Sequence, residues 1–175
     1  MDPGSTCTGF GLLEYRSRAC RYVTCGCIRP PRESAFEDRL VALFGRLRAV
    51  VEEYRPTEAA VERTFCGRDP EAAAKLGQAR GVLLLALRLA EVRIAHYAPA
   101  EVKRAVTGNG QASKRQVQLV AAKLLGLPQA PKPLDASDAL AVALCHAFRP
   151  GAVAAREAGS RKPEVDALLR RMIRR

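Results

Sequence analysis

The sequence lacks a long apolar run. Its 175 residues are 48% hydrophobic, yet the stretch from Val82 to Leu87 stops at Arg88, well short of the roughly 20 apolar residues that a membrane span needs. No membrane association is expected. Nothing at the start resembles a secretory signal, because Asp2, Pro3 and Gly4 directly follow Met1, and the expected compartment is the cytoplasm. The six cysteines, Cys7, Cys20, Cys25, Cys27, Cys66 and Cys145, include no CxxC pair. That removes the usual zinc motif and leaves reduced packing thiols as the reading, with Cys25 and Cys27 on one face of a strand. Histidine is nearly absent. His96 falls in a strand pattern and His146 lies more than two turns beyond Asp138, so neither is expected at a metal shared with that acid. Acidic residues are outnumbered, 18 against 29 Lys and Arg, for a net charge of +11. A charge of that sign on one ordinary-sized domain points to a polyanion, with nucleic acid as the default partner.

What is present orders itself as an α/β chain with a mixed sheet. The opening DPGSTCTGFGLLEY reads as a turn and a strand, with Gly9 and Gly11 keeping one region unobstructed, and ACRYVTCGCIRP reads as its hairpin partner. From Ser34 to Tyr54, apolar residues recur at helical spacing and stop before Pro56. Glu58 to Arg63 reads as a short buried strand. Asp69 and Pro70 open a helix reaching about Val92, whose Gly77 and Gly81 permit close approach of another backbone, either within the core or across a two-fold dimer. Arg93 to Tyr97 predicts a strand, Pro99 to Val106 a short helix, and Ser113 to Leu125 a capped helix. In that last helix Lys114 and Arg115 oppose the helix dipole. Leu134 to Phe148 predicts a final helix, capped by Asp135 and carrying an apolar stripe of Leu140, Leu144 and Phe148. The expected division is a domain over 1–150 and a basic tail over 151–175. The tail holds seven basic residues against three acids from Arg156 onward.

Four acids stand at element ends. Asp2 precedes a glycine-rich turn, Glu62 ends a strand, and Asp135 and Asp138 share one face of a helix's first turn. Carboxylates brought together need protons or hard cations to neutralise them, and magnesium is the natural candidate. The ordered motifs DPGS (Asp2 to Ser5), TGFG (Thr8 to Gly11), AVERTF (Ala60 to Phe65), KLGQARG (Lys75 to Gly81) and DASDALA (Asp135 to Ala141) make the chain resemble the RuvC-type Holliday-junction resolvases.

The resemblance runs from Asp2 to about Phe148 and implies a ribonuclease-H-like fold, a mixed sheet flanked by helices. It further implies that Asp2, Glu62, Asp135 and Asp138 are the catalytic, metal-binding acids, holding two Mg2+ ions with Mn2+ as a substitute. Phe65 matches the family's base-stacking aromatic, and Lys103 and Lys114 match lysines that contact DNA. Arg68 and Arg115 are expected to join them on the DNA. The helix with KLGQARG corresponds to the dimer helix, and a branch-migration complex bound to the junction is the further partner. The implied activity is magnesium-dependent, symmetric phosphodiester hydrolysis at four-way junctions in recombination and repair.

The family's first Asp ends an apolar strand in mid-sheet, whereas here only Met1 precedes it. The expectation is therefore a first strand cut short, with unpaired ladder groups and a void beside it. Two other activities share parts of this pattern. A related RNA nuclease would need similar acids, and a junction-binding protein that does not cut would keep Lys103, Lys114 and Phe65 in use while the acids idle.

Overall fold

A computed structural model describes residues 1–17, 19–63 and 69–149. In chain order these form β1 (Thr8–Arg16), β2 (Ala19–Ile28), α1 (Phe36–Tyr54), β3 (Glu58–Glu62), α2 (Pro70–Leu89), β4 (Arg93–Tyr97), α3 (Pro99–Thr107), α4 (Lys114–Leu124) and α5 (Leu134–Ala147). The local signals explain most boundaries. At the start of α2, Asp69 accepts from the backbone N–H groups of Glu71 and Ala72 with Pro70 behind it, which satisfies two donors that a helix start otherwise leaves bare. Pro56 cannot continue α1, and Arg55 closes the helix in a left-handed conformation. None of the described helices is long and apolar enough to cross a membrane.

The mixed sheet takes the form of two ladders. β1 and β2 pair antiparallel from Thr8↔Ile28 to Arg16↔Ala19, with a register shift between Leu12 and Leu13. β3 and β4 pair parallel from Glu58↔Arg93 to Glu62↔Tyr97, joined through α2. Helices cover both sides, and successive residues of β3 alternate between two cores. Val61 packs with Leu43, Leu47, Leu83 and Leu87 of α1 and α2. Ala60 packs with Val102, Val117, Val142 and Leu144 of α3, α4 and α5. This is the period-2 geometry of a strand buried on both faces. Each fully buried Leu is worth about 1.5–3 kcal/mol, so these two layers hold β3, with Glu62 at its end, firmly in place.

Met1 and Asp2 link the two ladders. Asp2 N–H donates to Gly9 O and Gly9 N–H to Asp2 O, both at 3.0 Å, while Glu62 N–H donates to Met1 O at 3.0 Å and the Met1 nitrogen to Ala60 O at 2.7 Å. Past this link β1 and β3 face each other across a cavity of about 480 Å³, lined among others by Phe10, Leu12, Val51, Ala59 and His146. No described strand pairs with β1 and β3 there.

Along α2, Gly77 and Gly81 are exposed and have open space where a Cβ would stand. Of the two readings for this glycine pair, close core packing is therefore set aside: the face carrying Gly77, Gly81 and the half-exposed Leu85 points outward. The expected basic tail lies outside the described residues.

Candidate metal centre

The loop after Asp2 is closed by its own side chains. Thr8 is fully buried, and its hydroxyl donates to Gly4 O at 2.9 Å while accepting from Gly4 N–H at 3.3 Å. A buried hydroxyl without partners would cost about 1–3 kcal/mol; here both of its roles are filled inside the turn. Arg39 of α1 donates to Ser5 O at 2.6 Å and ties the loop to the helix layer. The loop that follows Asp2 is thus fixed at Gly4 and Ser5, while the Asp2 backbone is bonded to Gly9.

α5 brings the next two acids. Its first turn lies directly on β1, since a Cβ on Gly9 would sit 2.0 Å from Asp135 O, and one on Gly11 would sit 2.7 Å from the Leu140 side chain. Only glycine allows this approach, so TGFG is what lets the helix start reach β1, whose Gly9 is bridged to Asp2. Asp135 is not the helix cap that its sequence position predicts. Pro133 occupies the N-cap and no side chain caps α5; Asp135 stands one residue inside the helix, where its Oδ2 accepts the Cys7 thiol at 3.1 Å.

Carboxylate oxygens of Asp2, Asp135 and Asp138 all lie within 4.8 Å of one another. Glu62, the neighbour of Met1 through β3, adds its charge to this group. Its pKa is pushed up to about 7, first by burial and then by Asp2 and Asp138. Asp2 is likewise held above the ordinary carboxylate range, by burial and then by Asp138. Both shifts have the cause expected of like charges crowded in a partly dry place.

Two side chains of α4 address Asp138. Gln118, itself buried, donates from Nε2 to Oδ1 at 2.9 Å. Lys114 Nζ lies 2.5 Å from Oδ2, yet that buried oxygen has no well-angled hydrogen bond. The ion pair supplies charge, and a directed bond is still open. The close Asp138 carboxylate is the main cause that raises the pKa of Lys114. Its unfavourable place in the first turn of α4 is compensated by a Ser113–Gln116 capping box. Hard oxygen donors, a buried carboxylate oxygen without a directed hydrogen bond and two acids raised in pKa by burial and neighbouring carboxylates all fit a hard divalent cation.

The remaining predicted site residues are placed less centrally. Arg115 is exposed beside Lys114, and Lys103 is half-buried on α3. Phe65 and Arg68 lie outside the described residues. The two histidines have other partners. His146 contacts Glu58 Oε2 through Nε2 and the Tyr97 hydroxyl through Nδ1, each at 2.6 Å, and His96 meets Arg80 at 3.0 Å. Sequence reasoning missed Gln118 and Cys7. Gln118 had a weak signal, being a polar residue four beyond Lys114 on one helix face; Cys7 had none, because its contact with Asp135 spans most of the chain.

Comparison with known proteins agrees with this geometry. The sequence pattern of crossover junction endodeoxyribonuclease RuvC matches residues 1–146. A RuvC of Chloroflexus aurantiacus is 43% identical over 148 residues, covering 85% of this chain and 90% of its own. One of Neisseria meningitidis is 43% identical over 156 residues, covering 89% and 87%. Among solved structures, Thermus thermophilus RuvC in complex with a Holliday junction substrate superposes with a TM-score of 0.78 at 36% identity, covering 84% of this chain and 90% of that one. With such relatives along most of its length, and with the ribonuclease-H-like fold that they share, the chain belongs to the crossover junction endodeoxyribonuclease RuvC family.

Proposed function

We propose that this protein resolves four-way DNA junctions by symmetric, magnesium-dependent phosphodiester hydrolysis, leaving 5'-phosphate and 3'-hydroxyl ends. The observation that carries the reading is the convergence of Asp2, Asp135 and Asp138 within 4.8 Å, beside a Glu62 that shares their field. Asp2, Glu62, Asp135 and Asp138 are the residues that would hold the ions. Two divalent cations at such a site, when bound, supply an activated water and stabilise the leaving oxygen. The protein's own part is positioning: Gln118 fixes the Asp138 carboxylate, and the Gly9 contact sets α5 against β1.

Lys114, Arg115 and Lys103 supply phosphate contacts in this reading, supported by the net charge of +11. In this reading Phe65 stacks on bases near the junction centre and Arg68 is a further DNA contact. The exposed Gly77 and Gly81 face of α2 joins two copies, which gives two active sites for two symmetric nicks. The reading takes the enzyme to be cytoplasmic, with a branch-migration complex as its further partner on the junction.

The test uses labelled four-way junctions, linear duplex and RNA–DNA hybrids, each with and without magnesium. Paired symmetric nicks in the junction alone are expected. Binding without cleavage would favour a clamp, and preferential cutting of RNA would replace the substrate. Sedimentation of the full chain checks the dimer.

A further inference from the structure

Beside the acid cluster lies a second group of ligand atoms of different character. Cys7 Sγ, Cys27 Sγ and a carboxylate oxygen of Asp135 all fall within 4.8 Å of one another. They come from three elements: the turn before β1, the far end of β2 and the first turn of α5. Cys27 pairs with Gly9 in the hairpin register, and Gly9 is the residue on which Asp135 rests, so one close approach assembles all three. Neither thiol is in a disulfide, and both are partly open to solvent.

We propose that Cys7, Cys27 and Asp135 form a binding site for a thiophilic divalent cation such as zinc, distinct in its chemistry from the all-oxygen site next to it. Two sulfurs and one oxygen are a donor set zinc accepts, with a fourth position left for water. The ligand atoms of a tetrahedral zinc stand roughly 3.3–3.8 Å apart, given bond lengths of about 2.0–2.3 Å. Here Cys7 Sγ and Asp135 Oδ2 are 3.1 Å apart and Cys27 Sγ lies within 4.8 Å of a ligand atom of each, so side-chain movement alone can close the three around one ion. Each thiol breaks its S–H bond and passes the proton to solvent as its sulfur bonds the metal. The CxxC spacing that sequence reading looks for is absent because hairpin pairing and the β1–α5 contact, rather than a short loop, bring the ligands together.

Asp135 belongs to both groups. A soft cation that recruits it takes a ligand from Asp2 and Asp138, so zinc should act as an inhibitor. That consequence rests on the proposed nuclease function; the site itself does not.

Cobalt(II) is the probe, titrated into the reduced full-length protein and followed by absorption. A thiolate-to-cobalt charge-transfer band that zinc abolishes is expected. Cys7→Ser and Cys27→Ser should each weaken cobalt binding at least about tenfold, while Cys20→Ser leaves it unchanged. Absence of the band in the unaltered protein overturns the proposal without recourse to any variant. Survival of the band at full affinity in a folded Cys7→Ser or Cys27→Ser protein also overturns it. In the cleavage assay, zinc should inhibit the unaltered enzyme at concentrations at least about tenfold below those needed for Cys27→Ser. A cobalt band together with an inactive protein would refute the nuclease reading and leave the thiol site standing.

Discussion

Lys114 Nζ and Asp138 Oδ2 lie 2.5 Å apart across the gap between α4 and α5, making the lysine the counter-charge of an acid otherwise placed to bind metal. Its side chain is 59% exposed while that of Asp138 is 14% exposed, so solvent screens the pair and it contributes on the order of 1 kcal/mol or less. Lys114→Met should therefore tighten manganese binding by up to about fivefold, because the cation no longer displaces an ammonium. The same change should slow junction cleavage by removing a phosphate contact. Isothermal titration and single-turnover cleavage measure the two effects; weaker metal binding in the variant would show that Lys114 supports the site instead of competing for it.

Asp138→Asn should abolish cleavage, by at least about 100-fold, and spare junction binding. The substitution would remove one of the proposed metal ligands and leave the proposed phosphate-binding surface intact. Gel-shift and cleavage assays on one junction separate the outcomes, and retained cutting would take Asp138 out of the mechanism.

Glu62 gives a pH signature. Its pKa rises from 4.5 to about 7 on folding, so between these values the folded chain keeps a proton that the unfolded chain has released. Its contribution is fully present below about 4.5 and lost as pH climbs through about 7. The Met1 amine, lowered from 8.0 to about 6 chiefly by burial, works in the opposite sense between those two values, with stability rising with pH. Comparing the unaltered protein with Glu62→Gln isolates the first effect. The variant should lose less stability between pH 5 and 7 in metal-free thermal melts. Magnesium should raise Tm more at pH 8 than at pH 5.5, because binding needs the carboxylates ionised.

Gly9→Ala places a Cβ 2.0 Å from Asp135 O, too close for relief by a side-chain rotation. Overpacking of this kind typically costs about 1–3 kcal/mol and at times more. The helix must back away from β1 and carry Asp135 and Asp138 with it. Denaturant unfolding should show the loss, and metal affinity measured on the folded fraction should fall as well. Unchanged affinity would mean that the acids are positioned without the Gly9 contact.

Much of this arrangement was legible along the chain because it follows from local rules. Asp69–Pro70 opens α2 and Pro56 closes α1 by backbone chemistry alone, and β4 spans the Arg93 to Tyr97 range that the pattern predicts. Asp135 misled the local reading: an acid at a helix start resembles a cap, but Pro133 already fills the N-cap and the carboxylate turns to Cys7. Gln118 on Asp138 and the Cys7–Cys27 pairing were hidden for the same reason. Each is created by elements meeting in space, and no spacing in the sequence encodes them. The motifs around the four acids carried further than composition did, since charge totals indicate a polyanion without saying where it is cut.

The short backbone link at Met1 and Asp2 should govern how the two ladders part. The hydrogen bonds that join the two ladders include those that hold the Asp2 backbone, so a parting of β1 from β3 should shift Asp2, one of the acids proposed to hold the metal. Amide exchange at Gly9 and Glu62 should therefore run faster than at Val61 or Leu83, and slow when magnesium binds. The cation would then serve as a clasp on the sheet as well as a reagent.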